Sequence, residues 1–199
     1  MDSPEDIVRY YKKQHKIYDA TRSSFLFGRN KLADRVNKNI RANDRVLEIG
    51  CGTGYLLNKI KKSNINLYGI DLSPEMLSLA EKKLGNTVEL EHTSFLNFTP
   101  DEKFDKIIFA YFFTISLNEL TNNINKTKSI LKKGGSIYVV DFHNYGNGIY
   151  KRYMNWHGIE MSPSLTKSLD SNFETTNLNI QKAYLGTWKY FHYEGVYND

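Results

Sequence analysis

The sequence predicts an α/β fold with a doubly wound, mostly parallel seven-stranded sheet that ends in an antiparallel edge. Between residues 45 and 142, short apolar runs typical of buried strands alternate with segments of helical spacing. Such alternation places helices on both faces of a parallel sheet. A glycine-rich turn follows the first of these strands. The tail after Asn172 is rich in Tyr, Trp and Phe without helical spacing, which indicates two antiparallel strands finishing the sheet.

The elements follow one another in a regular order. Strands are predicted at 45–50, 66–71, 87–91, 104–110 and 136–142. Helices are predicted at 28–40, 55–62, 74–84 and 117–133. The helix from Pro74 to Leu84 has the clearest boundaries, because Ser73 can cap its start and Gly85 follows its end. Residues 144–171 have the weakest pattern of the chain.

The N-terminal segment predicts a further helix that begins near Ser3, where Pro4 and two acidic residues follow a hydroxyl cap. Its aromatic and aliphatic residues recur near helical spacing among four basic residues. We therefore divide the chain into an N-terminal helical cap or lid, residues 1–40, and a sheet domain, residues 41–199.

Composition is that of an ordinary globular protein, with 40% hydrophobic and 25% charged residues and a formal net charge of +5. The scattered lysines indicate solvated helix faces or, alternatively, attraction to an anionic surface. The single cysteine, Cys51, excludes an internal disulfide framework and favours a reducing cytoplasm. No signal peptide, membrane-spanning run or metal site is predicted.

A glycine-rich loop after the first strand is the strongest functional motif. It reads Glu48-Ile-Gly50-Cys-Gly52-Thr-Gly54, and Asp71 ends the next strand. Glycines allow a tight turn close to a ligand, and a following helix would point its N–H groups at that ligand. An acid at the end of the second strand can accept hydrogen bonds from ribose hydroxyls. The pattern therefore predicts a nucleoside site at the carboxyl ends of these strands.

The spacing differs from a dinucleotide motif and includes an acid that suits a cationic ligand bearing an amino group. It resembles the first motif of class I S-adenosylmethionine-dependent methyltransferases, E/D-x-G-x-G-x-G, and the resemblance runs from about Arg45 to His143. It implies a Rossmann-like fold with S-adenosyl-L-methionine as cofactor. The cofactor-binding residues it implies are Glu48, Gly50, Gly52, Gly54, Asp71, Leu72, Met76 and Ala110. The family's frequent Gly-Asp-Ala after strand 3 is absent, so Thr93, Ser94 or the N–H of Phe95 replaces its contact to adenine.

The acceptor side is predicted from the residues after strands 4 and 5. Ala110-Tyr111-Phe112-Phe113 lacks the N/D-P-P-Y/F motif of exocyclic-DNA and protein-glutamine methyltransferases, which argues against a nucleic-acid partner. His143 is a candidate proton acceptor, with loop orientation as its alternative role. Cys51 is interpreted as a small filler residue in the glycine loop.

Residues 17–29, IYDATRSSFLFGR, resemble the N-terminal signature of bacterial betaine-lipid methyltransferases, with Ser23 in place of Trp. A related group methylates phosphatidylethanolamine. The resemblance implies a lipid headgroup amine as acceptor, with Tyr18 and Arg22 on the acceptor side and Arg22 or Arg29 holding a carboxylate or phosphate. The tyrosine-rich first helix would then lie at the inner face of the membrane. Alternatively, those tyrosines pack on the domain.

Two other functions fit the same donor motif. One is a cytosolic methyltransferase for a small molecule or a quinone precursor. The other is a non-catalytic module that binds S-adenosylmethionine.

Overall fold

The computed structural model of the chain describes residues 26–60, 64–145, 151–152 and 161–198. Its centre is a seven-stranded sheet of order β3-β2-β1-β4-β5-β7-β6. The strands are β1 Arg45–Ile49, β2 Asn66–Asp71, β3 Glu89–His92, β4 Phe104–Ala110, β5 Leu131–Tyr145, β6 Glu174–Ala183 and β7 Trp188–Val196. The helices are α1 Arg29–Asn39, α2 Pro74–Leu84, α3 Leu120–Ile130 and α4 Ser164–Asp170.

The sheet has the predicted mixed topology. Strands β1 to β5 pair in parallel, whereas β7 pairs antiparallel with both β5 and β6. The strand order reverses between β1 and β4, and open α/β sheets bind ligands beside the carboxyl ends of the strands at such a point. We call this side of the sheet the carboxyl edge.

Helix α1 packs against one face of the sheet. Its apolar residues recur at helical spacing, and Leu32, Ala33 and Val36 are buried in the same cluster as Val46 of β1. Helices α3 and α4 bury their apolar residues in the cluster on the opposite face. Because α1 adjoins the sheet directly, it holds the chain just before it, residues 26–28, close to the carboxyl edge.

Helix α2 matches its sequence prediction at both ends. The hydroxyl of Ser73 accepts a hydrogen bond from the Met76 N–H at 3.3 Å, and Pro74 occupies the first turn. Gly85 follows the last residue with φ +58°. The capping pattern alone therefore sets these boundaries.

The predicted helix at 55–62 is wrong over the described residues 55–60. Only a single 3₁₀ turn forms, Leu57–Lys59. Leu56, Leu57 and Ile60 are all buried in the same core cluster, and these contacts stabilise the short turn instead of the longer helix that the spacing predicts. A three-residue turn contributes little dipole, so the glycine loop cannot depend on a helix N-terminus to attract a ligand.

Other boundaries differ by a few residues. The helix predicted at 117–133 consists of a 3₁₀ turn, Leu117–Glu119, followed by α3, and β5 begins at Leu131, well before the predicted start. Helix α4 lies in the stretch whose sequence pattern was weakest. The predicted helix near residues 3–18 lies outside the described residues.

Within the described ranges, no helix has the length and apolarity required to cross a lipid bilayer.

Candidate functional site

The glycine loop makes a tight turn at the carboxyl edge. Gly50, Gly52 and Gly54 all have positive φ, at +68°, +53° and +68°. A side chain on Gly54 would lie 2.6 Å from Leu84 of α2, whereas one on Gly52 would meet nothing within 4 Å. Gly54 is therefore required for packing, and Gly52 leaves open space beside the loop.

An acidic and a basic side chain are buried near this loop. Glu48 is 3% exposed, and its Oε2 has no hydrogen-bond partner among the described residues. Burial raises the pKa of Glu48 to about 8, and the nearby Arg29 guanidinium is the largest opposing influence on that pKa. Arg29 is itself buried, its Nε also lacks a partner within the described part of the chain, and its guanidinium stacks 4.1 Å from the Tyr55 ring centroid. Both groups are buried and incompletely bonded, and Glu48 becomes the opposite charge to Arg29 only when it loses its proton.

Asp71 closes the other side of the loop. Its Oδ2 accepts a hydrogen bond from the Gly52 N–H at 2.8 Å, and its Oδ1 accepts one from the Ser73 N–H at 2.9 Å. Burial raises the pKa of Asp71, while these N–H groups lower it. A carboxylate accepts about four hydrogen bonds, so Asp71 retains acceptor capacity for a ribose hydroxyl beside these backbone donors.

The candidates for adenine contact lie around the end of β3. Ser94 accepts a hydrogen bond from the Asn97 N–H, and the Thr93 N–H donates to the Asp71 carbonyl. Phe95 is buried and its ring lies 5.7 Å from that of Phe112.

The two side chains expected to flank adenine differ in accessibility. Leu72 is half-buried, whereas Met76 is 1% exposed. Leu72 therefore has side-chain surface for a base, and Met76 has almost none.

The loop after β4 is held by a buried carboxylate on β5. Asp141 accepts hydrogen bonds from the N–H groups of Phe113 and Phe142, both at 2.8 Å, and from the Thr114 hydroxyl at 2.5 Å. Burial raises the pKa of Asp141 to about 6, although these hydrogen-bond donors lower it. This places Phe112 beside the glycine loop, 3.5 Å from the position of a Cβ on Gly50. Ala110, the last residue of β4, precedes this loop and is half-buried.

Two hydrogen bonds tie the chain before α1 to the sheet. The Tyr111 hydroxyl donates to the Phe27 carbonyl at 2.6 Å, and His192 Nε2 lies 2.9 Å from the Gly28 carbonyl. Tyr111 has φ +59° and Gly28 has φ +83°. A bulky residue in the left-handed region is rare and is found where the surrounding structure imposes it. We call these two contacts the Phe27–Gly28 latch.

An aromatic patch adjoins the latch. It consists of Phe27, Tyr184, Trp188 and Tyr190. The ring of Phe27 lies 5.1 Å from that of Tyr184 and 6.0 Å from that of Tyr190. The patch therefore joins the end of the predicted acceptor segment to the β6–β7 hairpin.

The remaining predicted residues have mixed positions. His143 lies at a bulge in β5 facing Phe191, and burial together with Lys189 lowers its pKa. A neutral imidazole there can accept a proton. Cys51 is buried, and that burial raises its pKa well above the usual range, as suits a filler residue. Tyr18 and Arg22 lie outside the described residues.

Sequence reasoning missed two residues. The sequence predicts Arg22 or Arg29 as the group that holds the acceptor's carboxylate or phosphate, whereas the fold places Arg29 near Glu48. Asp141 was passed over in favour of His143, although an acid inside the apolar run Val139-Val140-Asp141-Phe142 is a signal for a buried, bonded carboxylate.

The residues at this edge fit S-adenosyl-L-methionine. The unpaired Glu48 oxygen suits the ammonium of the methionine part, and Arg29 suits its carboxylate. Asp71 would hold the ribose, and the space beside Gly52 would admit the ligand. Among the described residues, no group of three or more His, Cys, Asp or Glu side chains could hold a metal ion.

Comparison with known proteins agrees with this assignment. Residues 46–135 match a family model described as "Methyltransferase domain". An uncharacterized methyltransferase from Anoxybacillus flavithermus is 42% identical over 98 residues, which are 48% of this chain and 46% of that protein. A relative from Bacillus mycoides, also called an uncharacterized methyltransferase, is 36% identical over 55% of this chain and 51% of its own length. The chain thus spans about half the length of the curated relatives it matches.

Solved structures show the same fold. The N-methyltransferase NodS from Bradyrhizobium japonicum, in complex with S-adenosylhomocysteine, has a TM-score of 0.69 with 18% identity and covers 86% of each chain. A phosphoethanolamine N-methyltransferase 2 from Haemonchus contortus has a TM-score of 0.71 with 11% identity, over 87% of this chain and 53% of that one. The fold is that of the Rossmann-like methyltransferases. The comparisons support a class I S-adenosylmethionine-dependent methyltransferase domain with S-adenosyl-L-methionine as its cofactor.

Proposed function

We propose that this chain is a class I S-adenosylmethionine-dependent methyltransferase that methylates an amine on a lipid headgroup at a membrane surface. The methyltransferase part rests on the geometry of Glu48, the glycine loop and Asp71. The acceptor class rests on one observation: Phe27, at the end of the segment that resembles betaine-lipid methyltransferases, and Tyr184 have accessible aromatic surface at the carboxyl edge, over the buried rings of Trp188 and Tyr190.

The aromatic patch suits an amine that becomes progressively methylated. Methylated ammonium groups lose hydrogen-bond donors but keep their charge, and aromatic faces attract such cations. Phe27 is a half-buried member of the patch and joins the latch to Tyr184 and Tyr190. Two of the structural neighbours are named as N-methyltransferases, which is in keeping with an amine acceptor.

The protein's main contribution to methyl transfer is alignment. The amine lone pair forms the N–C bond as the C–S bond of the donor breaks, so the amine must be neutral and in line. The acceptor ammonium therefore has to lose a proton first. His143 has a lowered pKa and is our candidate to accept that proton.

The test supplies labelled donor with three acceptors: diacylglyceryl homoserine in vesicles, phosphatidylethanolamine in vesicles, and free ethanolamine in solution. We expect label in a lipid fraction, with little in ethanolamine. Label found only in soluble acceptors would instead support a small-molecule methyltransferase. Donor binding without transfer to any acceptor would support a non-catalytic binding module.

A variant pair tests the aromatic patch. Phe27→Leu should raise the KM for lipid by about five- to tenfold with donor affinity unchanged, because it removes about 1 kcal/mol of cation–π attraction. Phe27→Tyr retains an aromatic face and should stay near wild type. Equal loss of donor and acceptor binding in Phe27→Leu would contradict an acceptor role for the patch.

A further inference from the structure

The exposed apolar side chains of the described residues are concentrated in one place. The four large hydrophobic residues with high exposure are Leu178, Ile180, Tyr184 and Leu185. All four lie on β6 or in the turn that follows it. Leu185 is 108% exposed and Tyr184 is 49% exposed. We call the turn Tyr184–Gly186 the apical turn.

The backbone of the apical turn directs Leu185 outward. Tyr184, Leu185 and Gly186 have φ of +41°, +56° and +96°. Left-handed backbone is ordinarily occupied by Gly or Asn and is unfavourable for leucine. A leucine therefore stands at full exposure where a polar residue would suit both the backbone and the solvent.

The apical turn lies on the same side of the sheet as the candidate site. Trp188 at the start of β7 pairs with Tyr145 at the end of β5, so the turn projects beyond the carboxyl end of β5. The ring of Tyr184 contacts Phe27, which is held by the latch. An acceptor that approaches the aromatic patch would therefore meet the apical turn.

The charge around the turn has one sign. No acidic residue occurs from Thr175 to Tyr193, a stretch that covers most of β6 and β7. Lys182 and Lys189 face each other across the hairpin at the base of the turn. Apolar side chains at an apex, with lysines behind them, complement a bilayer surface of anionic headgroups over acyl chains.

We propose that the apical turn inserts Leu185 and Tyr184 into an anionic lipid surface while Lys182 and Lys189 contact its headgroups. This deepens the proposed function and rests on it for the identity of the lipid substrate, but the turn's geometry and charge are independent of the donor site. A second copy of the chain is a weaker fit. A standard interface takes about 20–30 residues a side, far more than these four exposed side chains.

Vesicle binding by sedimentation tests the apical turn directly. The probes are vesicles of phosphatidylcholine with 30–40% phosphatidylglycerol and vesicles of phosphatidylcholine alone. Leu185→Asn should weaken binding to the anionic vesicles about tenfold, since it removes a leucine side chain that would be buried in the bilayer. Because Asn is favoured at positive φ, the variant should fold normally. Leu178→Asn, at an exposed apolar site in mid-strand, is the matched control and should change binding less than about twofold.

Two further measurements separate charge from insertion. Lys182→Gln with Lys189→Gln should weaken binding about tenfold or more at low salt and much less at high salt. Leu185→Cys, labelled with an environment-sensitive dye, should shift its emission to the blue on anionic vesicles, and Cys51 is too buried to compete for the label.

Each outcome bears on a single proposal. Unchanged vesicle binding in Leu185→Asn, or equal loss in Leu178→Asn, would overturn insertion of the turn. A dimer that dissociates on Leu185→Asn, without vesicle binding by the wild type, would show instead that another copy covers the turn. If the wild type methylates detergent-dispersed lipid but ignores vesicles, the apical turn proposal fails, whereas methylation of a lipid headgroup amine stands without the membrane surface. If it binds vesicles but methylates no lipid, the proposed function fails.

Discussion

Glu48 should release a proton when the donor binds. Its pKa in the unliganded protein is about 8, raised by burial from 4.5. At pH 7 roughly nine molecules in ten therefore carry a proton on Glu48. A bound ammonium next to the unpaired Oε2 favours the ionised carboxylate, because an opposite charge lowers the pKa of an acid. We expect about 0.9 protons to be released per donor bound at pH 7.

The same linkage gives the pH dependence of donor affinity. Between about pH 5.5 and 7.5, each unit of pH should raise affinity nearly tenfold, since ionisation of Glu48 accompanies binding. Near pH 8 the increase should stop, because the α-amino group of the ligand has a pKa of about 7.7–8.0 and begins to lose its own charge. Calorimetry at pH 6.5 in buffers of different ionisation enthalpy measures the released protons directly.

Glu48→Gln is the control for this linkage. Gln keeps the shape and one acceptor oxygen but cannot ionise, so donor binding should be weaker at pH 7.5 and should release almost no protons. Equal proton release in wild type and Glu48→Gln would refute the pairing of Glu48 with the donor amine. A wild-type affinity that stays flat from pH 5.5 to 7.5 would refute it as well.

The free energy of unfolding of the unliganded protein should fall as pH rises, whereas donor affinity increases. Because folding raises the pKa of Glu48 from 4.5 to about 8, its contribution to the free energy of unfolding is complete below pH 4.5. That contribution is lost as pH rises through 8, since the buried carboxylate must then be ionised. Thermal melts of wild type and Glu48→Gln across this range should therefore converge at low pH and diverge at high pH, with the wild type falling.

Four further substitutions test the geometry of the site. Asp141→Asn should lower the free energy of unfolding by about 1–3 kcal/mol in urea titrations, because an amide cannot accept from every donor that Asp141 serves, and an unchanged midpoint would contradict its role in holding the loop. Gly28→Ala should lower the free energy of unfolding by about 2–4 kcal/mol, since a Cβ at φ +83° would lie 2.7 Å from His192. Gly52→Ala, in open space at φ +53°, should lower it by only about 1–2 kcal/mol. Equal losses in the two variants would exclude the clash at Gly28. Asp71→Ala should weaken donor affinity about five- to hundredfold in calorimetry through lost ribose contacts, and unchanged affinity would exclude that assignment.

Most of the sheet could be predicted because its signals are local. Strands β2 and β4 and helix α2 have their predicted bounds, since β-branched and aromatic runs and capping residues act within a few positions. The helix after the glycine loop failed because burial of Leu56, Leu57 and Ile60 against distant elements decides that segment. Helix α4 was not predicted for a similar reason. Its apolar stripe consists of only Leu165 and Leu169, and the helix is stabilised by packing of these residues in the core.

In the candidate site too, some residues have a local sequence signal and others do not. The glycine loop and Asp71 could be proposed as donor-binding residues from the sequence, because the signal is their spacing along the chain. Whether Arg29 lies nearer the donor or the acceptor depends on how α1 crosses the sheet, which no local pattern records. The Phe27–Gly28 latch depends on His192, 164 positions away from Gly28. Contacts between residues so far apart in sequence can be identified only in the folded structure.

Three consecutive residues connect the two halves of this site. Phe27 joins the aromatic patch, Gly28 makes the latch to His192, and Arg29 lies beside Glu48. The left-handed turn at Gly28 is what sends the neighbouring side chains to different partners. In the proposed function, the segment that resembles lipid methyltransferases therefore ends where the donor site adjoins the proposed acceptor site. A change that shifts Gly28 must move both, so a loss confined to one side has to arise at Phe27 or at Arg29.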